Sequence, residues 1–157
     1  MNVIENEIQN SVKRWIAFAE EDLRMAQYSI TMKNDIPYRL IAFHAQQCAE
    51  KYLKAYLVFK RVDFPYTHDI FRLLELCAEH GNWAGTIEDA KRLTLYALTT
   101  RYPGTEDKVT MDEALNAINL ASTVRQAVRN ALTEEGMTLV EIFRSESHSR
   151  NDYKGRN

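Results

Sequence analysis

The chain has 157 residues, a length that fits one domain, since domains typically contain about 100–200 residues. With five glycines and three prolines there is little material for tight turns, whereas Ala, Leu, Glu, Lys and Arg are abundant, which predicts an all-α fold. The formal net charge of −2 excludes a strongly basic protein that coats nucleic acid, although a local basic face stays open.

The N-terminus and the cysteines indicate a compartment. The first ten residues, MNVIENEIQN, lack the basic and apolar regions of a secretory signal, and no apolar run reaches the length of a membrane span. Cys48 and Cys77 lie in apolar helical surroundings, so we do not expect a disulfide framework. We therefore expect a cytoplasmic protein without membrane association.

Apolar residues at steps of three and four predict a first helix from about Glu5 to Lys33. The repeating positions are Ile8, Val12, Trp15, Ala19, Leu23, Ala26 and Ile30. The residues Asn-Asp-Ile-Pro interrupt this pattern, because Asn and Asp favour turns and Pro restrains the residue before it. Pro37 then suits the first turn of a second helix, which runs to about Lys60.

Two shorter helices are predicted in the middle of the chain. Thr67 or Asp69 can cap a third helix, which should end near His80 and Gly81 because glycine suits the left-handed position after a helix. A fourth helix is predicted over residues 87–101, ended by Tyr-Pro-Gly at 102–104.

The C-terminal part contains one strong start signal. Thr110 with Glu113 matches a capping box and predicts a fifth helix to about Leu132. The segment Met137–Phe143 is predicted to dock as a last turn or two. The domain is therefore expected to span residues 1–143, followed by a polar, disordered tail over 144–157.

The second helix carries a polar stripe opposite a broad apolar face, when its residues are placed at ~100° intervals. The apolar face contains Ile41, Ala45, Cys48, Ala49, Tyr52, Ala55, Tyr56 and Phe59. The stripe contains His44, Gln47, Glu50, Lys51 and Lys54. Glu50 and Lys54 are spaced for an ion pair. The stripe can be a solvated face or a ligand surface, and the small residues of the apolar face predict close packing on several neighbours or a second subunit.

The segment FHAQQCAEKYLKAYL, residues 43–57, resembles the signature F-H-x-Q-Q-x-x-E-K-x-L-K-A of HEPN domains. Three further motifs occur in the order expected of this family, and together the four cover about residues 12–130. They are Trp15 with Ala19-Glu20-Glu21-Asp22-Leu23, His68-Asp69-Ile70 with Leu73-Leu74, and Arg101-Tyr102-Pro103.

The resemblance implies an up-and-down bundle of about five helices, a HEPN-like four-helix bundle with a short C-terminal helix. It also implies a homodimer and, for many members, a minimal nucleotidyltransferase as partner in a toxin–antitoxin pair. Many members are metal-independent ribonucleases that use an Arg followed after four to six residues by a His.

That ribonuclease motif is missing after Arg101, where no His occurs in the required window, so we do not expect enzymatic activity. The spacing of Arg39 and His44 fits the motif, but five helical residues rotate the two side chains ~140° apart. The residues that could still take part in catalysis are Arg101, His44 and His68.

The resemblance implies a ligand surface that joins the stripe residues His44, Gln47, Glu50, Lys51 and Lys54 to Arg101 and Tyr102. Arg101 could hold a phosphate and Tyr102 could stack a base. Cys77 and His80 lie one turn apart, but two ligands are too few for a zinc site. We expect neither a metal nor a cofactor.

Three functional hypotheses remain open from the sequence. The first is a non-catalytic HEPN homodimer that binds nucleotide or RNA, or a nucleotidyltransferase, in a toxin–antitoxin-like system. The second is a metal-independent ribonuclease toxin with a displaced catalytic His. The third is a purely structural dimerisation module.

Overall fold

A computed structural model of the chain describes residues 2–99 and 108–139. The helices are α1 (Val3–Ser29), α2 (Tyr38–Phe59), α3 (Ile70–Ala78), a 3-10 segment (Asn82–Leu93), α4 (Thr94–Thr99) and α5 (Met111–Glu134). The described ranges contain no strand, so the all-α prediction is confirmed. No helix in this part of the chain has both the length and the hydropathy that a membrane crossing requires.

Two predicted helix starts are confirmed in atomic detail. Thr110 Oγ1 accepts a hydrogen bond from the Glu113 amide at 3.2 Å, and the Glu113 carboxylate accepts one from the Thr110 amide at 2.7 Å. Of the two caps proposed for α3, Asp69 is the one used, because its Oδ1 accepts a bond from the Phe71 amide at 3.0 Å. Each cap satisfies amides that the first helical turn leaves without partners.

The predicted fourth helix over residues 87–101 is wrong in its first part. The chain forms the 3-10 segment there, with a kink at Ile87 (φ −120°, ψ 28°), and becomes α-helical only at Thr94. The buried residues Ala84, Ile87, Ala90 and Leu93 recur at every third position. A 3-10 helix has about three residues per turn, so this spacing places all four in one line toward the core.

Gly81 does not take the left-handed conformation predicted for it, since its φ is −162°. It is instead required for close packing: a Cβ atom there would lie 2.4 Å from Trp83 Nε1 and 2.8 Å from the Tyr56 hydroxyl. The Tyr56 hydroxyl donates to the carbonyl of His80 at 3.0 Å, and its ring meets Trp83 edge-on at 4.8 Å. Gly81 therefore lets the 3-10 segment approach α2.

The central element is α2, which packs against α1 on one side and α5 on another, with α3 and the 3-10 segment also in contact. Thirteen of its 22 residues are buried, so it has no broad solvent face. Ala45, Ala49 and Ala55 are fully buried and allow the neighbouring helices to approach closely, as predicted.

Helix α5 ends at Glu134, and Gly136, two residues later, has a left-handed φ of +94°. The Met137 amide donates to the Leu132 carbonyl at 2.9 Å. Met137 is 2% exposed, so the chain docks on the core just after α5. Residues 140–143 of the predicted docking segment and the tail over 144–157 lie outside the described residues. The domain boundary at 143 stays a prediction.

Candidate functional site

The polar stripe of α2 does not form a solvated face. Glu50 and Lys54 are only 3% and 5% exposed, while His44, Gln47 and Lys51 are partly buried. The interpretation of the stripe as a solvated face is therefore wrong for Glu50 and Lys54. Side chains from α1 and from the loop before α3 cover the stripe and divide it into two clusters.

The inner cluster consists of Gln46, Glu50, Lys54 and His68. Lys54 Nζ donates to Glu50 Oε1 at 2.7 Å, which confirms the predicted ion pair, and His68 Nδ1 lies 2.9 Å from Glu50 Oε2. Gln46 Nε2 donates to Glu50 Oε2 and to the His68 carbonyl, both at 3.1 Å. The Glu50 carboxylate thus has a partner on each oxygen.

These contacts determine the ionisation of Glu50. Burial acts to raise the pKa of this carboxyl, but hydrogen bonds from Lys54 and His68, with the charge of Lys54, outweigh burial and lower the pKa below its usual 4.5. Glu50 is therefore held as a carboxylate inside the bundle.

Three aromatic rings surround the ammonium of Lys54. The ring centroids of Trp15, Phe64 and Tyr66 lie 5.8, 5.7 and 6.0 Å from Lys54 Nζ, which is within the range of cation–π attraction. Trp15 and Phe64 also meet edge-on at 6.3 Å. Trp15 and Phe64 are partly buried beside Lys54, whereas Tyr66 is 96% exposed at the outer side of the cluster.

The outer cluster consists of Asp22, His44 and Lys51. Asp22 Oδ1 lies 2.8 Å from His44 Nδ1, and Asp22 Oδ2 accepts a hydrogen bond from Lys51. The His44, Asp22 and Lys51 side chains are 30%, 13% and 23% exposed. With Nδ1 engaged by Asp22, His44 retains Nε2 for another contact. This cluster can therefore meet a partner.

A third group, the Glu20 cluster, joins Glu20, Tyr52, Arg125 and Arg129. Arg125 Nε donates to Glu20 Oε1 at 2.5 Å, Tyr52 donates its hydroxyl to the same oxygen, and Arg129 donates to the Tyr52 hydroxyl at 3.4 Å. Glu20 is 7% exposed. The cluster links α1, α2 and α5 through the core.

The sequence prediction missed both α1 carboxylates: Asp22 as a partner of the stripe, and Glu20 as a partner of Tyr52 and Arg125. Glu20 lies one residue after Ala19, which belongs to the buried face of α1, and a helical wheel therefore places it at the edge of the core. An acidic residue at that edge was the signal for a buried ion pair.

Of the remaining predicted site residues, Gln47 is described by the structure and Arg101 and Tyr102 are not. Gln47 joins the inner cluster, donating to Gln46 at 2.7 Å and to Glu50 at 3.3 Å. Arg101 and Tyr102 lie outside the described residues, so their approach to the stripe stays a prediction. Arg39 is exposed at the start of α2, whereas His44 is turned toward Asp22 on α1.

The described part of the chain holds no group of three residues suited to bind a metal. Cys77 is buried and its thiol lies 3.8 Å from the Leu53 carbonyl, while His80 is exposed. Burial raises the pKa of the Cys77 thiol to about 12, which keeps it protonated and unsuited to metal ligation.

The comparisons with known proteins agree with this architecture. The model of the HEPN domain family matches residues 12–131, most of the chain. The chain belongs to the HEPN family. No curated protein matches this HEPN chain.

Two solved structures resemble this HEPN protein. The crystal structure of TT1696 from Thermus thermophilus shares 28% sequence identity, with a TM-score of 0.62 over 77% of this chain and 98% of that one. The crystal structure of ST0689, an archaeal HEPN homologue, shares 28% identity, with a TM-score of 0.62 over 77% of this chain and 97% of that one.

The charged residues of the family signature divide between the two clusters of this HEPN protein. His44 and Lys51 belong to the outer cluster, whereas Glu50 and Lys54 belong to the inner one. The signature therefore encodes two charge clusters that join α2 to its neighbours. Of these two clusters, only the outer one has every side chain more than a tenth exposed to solvent.

Proposed function

We propose that this HEPN protein is a non-catalytic homodimer that acts by binding a partner in a toxin–antitoxin-like system. The observation that carries the proposal is the internal pairing of the stripe. Lys54 is bonded to Glu50, and Lys51 is bonded to Asp22, so each lysine is compensated by a carboxylate within the chain. A site of this kind favours a partner with both donors and acceptors.

A minimal nucleotidyltransferase suits that requirement better than a nucleotide or RNA does. Phosphate binding depends on cationic side chains whose charge is not already neutralised by a carboxylate. Lys51 shares its ammonium with Asp22, whereas a protein surface can complement the carboxylate, the ammonium and the imidazole of the outer cluster together. The alternative ligand is a nucleotide or RNA, bound through Arg101 and Tyr102.

The test measures binding of the purified protein to three separate probes: a minimal nucleotidyltransferase, ATP and a single-stranded RNA oligonucleotide. We expect Lys51→Ala to weaken nucleotidyltransferase binding, because it removes the only lysine of the outer cluster. The control is Lys91→Ala, which removes an exposed lysine paired with Glu88 at 3.1 Å in the 3-10 segment.

The outcomes separate the hypotheses. ATP or RNA binding that is lost in Arg101→Ala and kept in Lys51→Ala would favour the nucleotide form over the protein partner. A dimer that binds none of the three probes would contradict the binding proposal and leave the structural dimerisation module.

The second candidate function is a metal-independent ribonuclease with a displaced histidine. The Asp22–His44 contact at 2.8 Å favours it, because a carboxylate on one ring nitrogen orients the other for proton transfer. Cleavage of RNA in the presence of EDTA that disappears in His44→Ala and persists in Lys91→Ala would support this function. His68, bonded to Glu50 in the inner cluster, is the alternative base, tested by His68→Ala.

A further inference from the structure

Helix α1 and the turn that follows it, which contains Met32, carry a second set of regularly spaced residues on the side facing away from the core. Arg14, Phe18, Glu21, Met25, Tyr28 and Met32 follow one another at alternating steps of four and three residues. This is the spacing with which one helix presents a continuous line of side chains to another helix. We call these six residues the outer seam.

The outer seam is apolar and open. Phe18, Met25, Tyr28 and Met32 are 54%, 51%, 74% and 44% exposed, and no described part of the chain covers them. The core-facing residues of α1 are a different set, among them Val12, Ile16, Ala19, Leu23 and Ala26, and all of these are buried. When one apolar face of a helix is buried in the core and a second apolar face is exposed, the exposed face indicates an interface.

The charges on the seam identify the occupant as a second copy of this chain. Arg14 lies four residues before Phe18, and Glu21 lies three residues after it, both exposed. A two-fold axis near Phe18 therefore places Arg14 of each copy opposite Glu21 of the other. Within one helix the two residues are about 10 Å apart along the axis, so this pairing can form only between copies.

We propose that two copies associate through their outer seams, with the two α1 helices antiparallel and Phe18 near the two-fold axis. The inference rests on the homodimer of the proposed function and specifies its interface. Asp22 lies one turn from both Phe18 and Met25 and anchors the outer cluster. The second copy therefore borders the outer cluster, and a partner that binds there contacts a surface framed by both subunits.

The first test is the molar mass in solution, measured by sedimentation equilibrium across a concentration series. We expect a dimer for the parent protein and the monomer mass for the double variant Phe18→Glu/Met25→Glu, because the carboxylates introduced at position 18 would face each other near the axis and those introduced at position 25 would each be buried in the interface. Phe71→Glu, at a 46% exposed position on α3, is the matched control and should stay dimeric.

The results distinguish this inference from the proposal on which it rests. A monomeric parent protein would overturn both the homodimer and the seam. A dimeric parent whose mass is unchanged in Phe18→Glu/Met25→Glu would overturn the seam alone. A double variant that stays dimeric but no longer binds the nucleotidyltransferase would also overturn the seam as a dimer interface, since the seam would then contact another protein.

The second test exchanges the charges. Arg14→Glu and Glu21→Arg should each raise the dimer dissociation constant by about tenfold, because each creates like-charge contacts on both sides of the axis. An equimolar mixture of the two variants should recover the parent affinity as a heterodimer, in which both contacts join opposite charges. Circular dichroism verifies that both stay folded; no recovery in the mixture would overturn the antiparallel arrangement.

Discussion

The inner and outer clusters each join one carboxylate to one lysine and one histidine, yet they differ in their access to solvent. The Glu50 and Lys54 side chains are 4% and 6% exposed, whereas those of Asp22 and Lys51 are 13% and 23% exposed. Breaking a buried ion pair leaves a charge without compensation, and breaking a more exposed one leaves a charge that water can reach. The same set of charged groups is therefore enclosed by the fold in the inner cluster and partly accessible to solvent in the outer one.

The largest expected effect comes from removing the buried ammonium. Lys54→Met leaves the Glu50 carboxylate in the core with His68 and Gln46 as its partners, and we expect a loss of about 3 kcal/mol in the free energy of unfolding. Urea titration measures it. The control Lys91→Met breaks an exposed pair and should cost less than about 0.5 kcal/mol. Equal losses in the two variants would contradict the distinction between the clusters.

The second effect concerns the Glu20 cluster, which is also buried. Tyr52→Phe removes the hydroxyl that donates to the Glu20 carboxylate and accepts from Arg129, and we expect a loss of about 2 kcal/mol. Urea titration of Tyr66→Phe is the comparison, since Tyr66 is 96% exposed and its hydroxyl should contribute little. A Tyr52→Phe protein as stable as the parent would show that Arg125 and Arg129 compensate Glu20 without the hydroxyl.

The third effect is the dependence of stability on pH. Because the folded pKa of Glu50 lies below its usual 4.5, its contribution is complete at pH values above the unfolded pKa and is lost as the pH falls through the folded pKa. We expect the free energy of unfolding to fall more steeply for the parent than for Glu50→Gln as the pH is lowered below about 5. Urea titrations across that range measure both slopes, and parallel curves would refute this role of Glu50.

The smallest effect on stability is expected in the outer cluster. Lys51→Ala removes a partly exposed ion pair, so the free energy of unfolding should fall by less than about 1 kcal/mol, and less again in about 1 M salt. The same variant should weaken binding of the nucleotidyltransferase. A loss of stability as large as that of Lys54→Met would assign the outer cluster to the fold rather than to binding.

Local periodicity predicted the long helices well. The steps of three and four in α1 and the capping box at Thr110 are local signals, and the structure contains both elements. The 3-10 segment was missed because Ile87, Ala90 and Leu93 are three residues apart, a spacing that fits one face of an α-helix as well as a 3-10 helix. Packing against α3 and α5, which a local pattern does not specify, decides between them.

The candidate site was predicted less completely for a related reason. The helical wheel placed His44, Glu50 and Lys51 on one stripe, and they do share one side of α2. Their partners come from elsewhere in the chain: Asp22 lies 22 residues before His44, and His68 lies 18 residues after Glu50. Such long-range pairs depend on how α1 and the loop before α3 fold back, which no local pattern specifies.

The positions of the two tryptophans in the chain provide separate optical reporters of its unfolding. Trp15 lies 5.8 Å from the ammonium of Lys54, whereas Trp83 lies edge-on to Tyr56 at 4.8 Å. In Trp83→Phe the remaining indole emission follows the charged side of α2, and in Trp15→Phe it follows the 3-10 segment. Fluorescence of the two variants during denaturation thus reveals whether opposite sides of the central helix open in one step or in sequence.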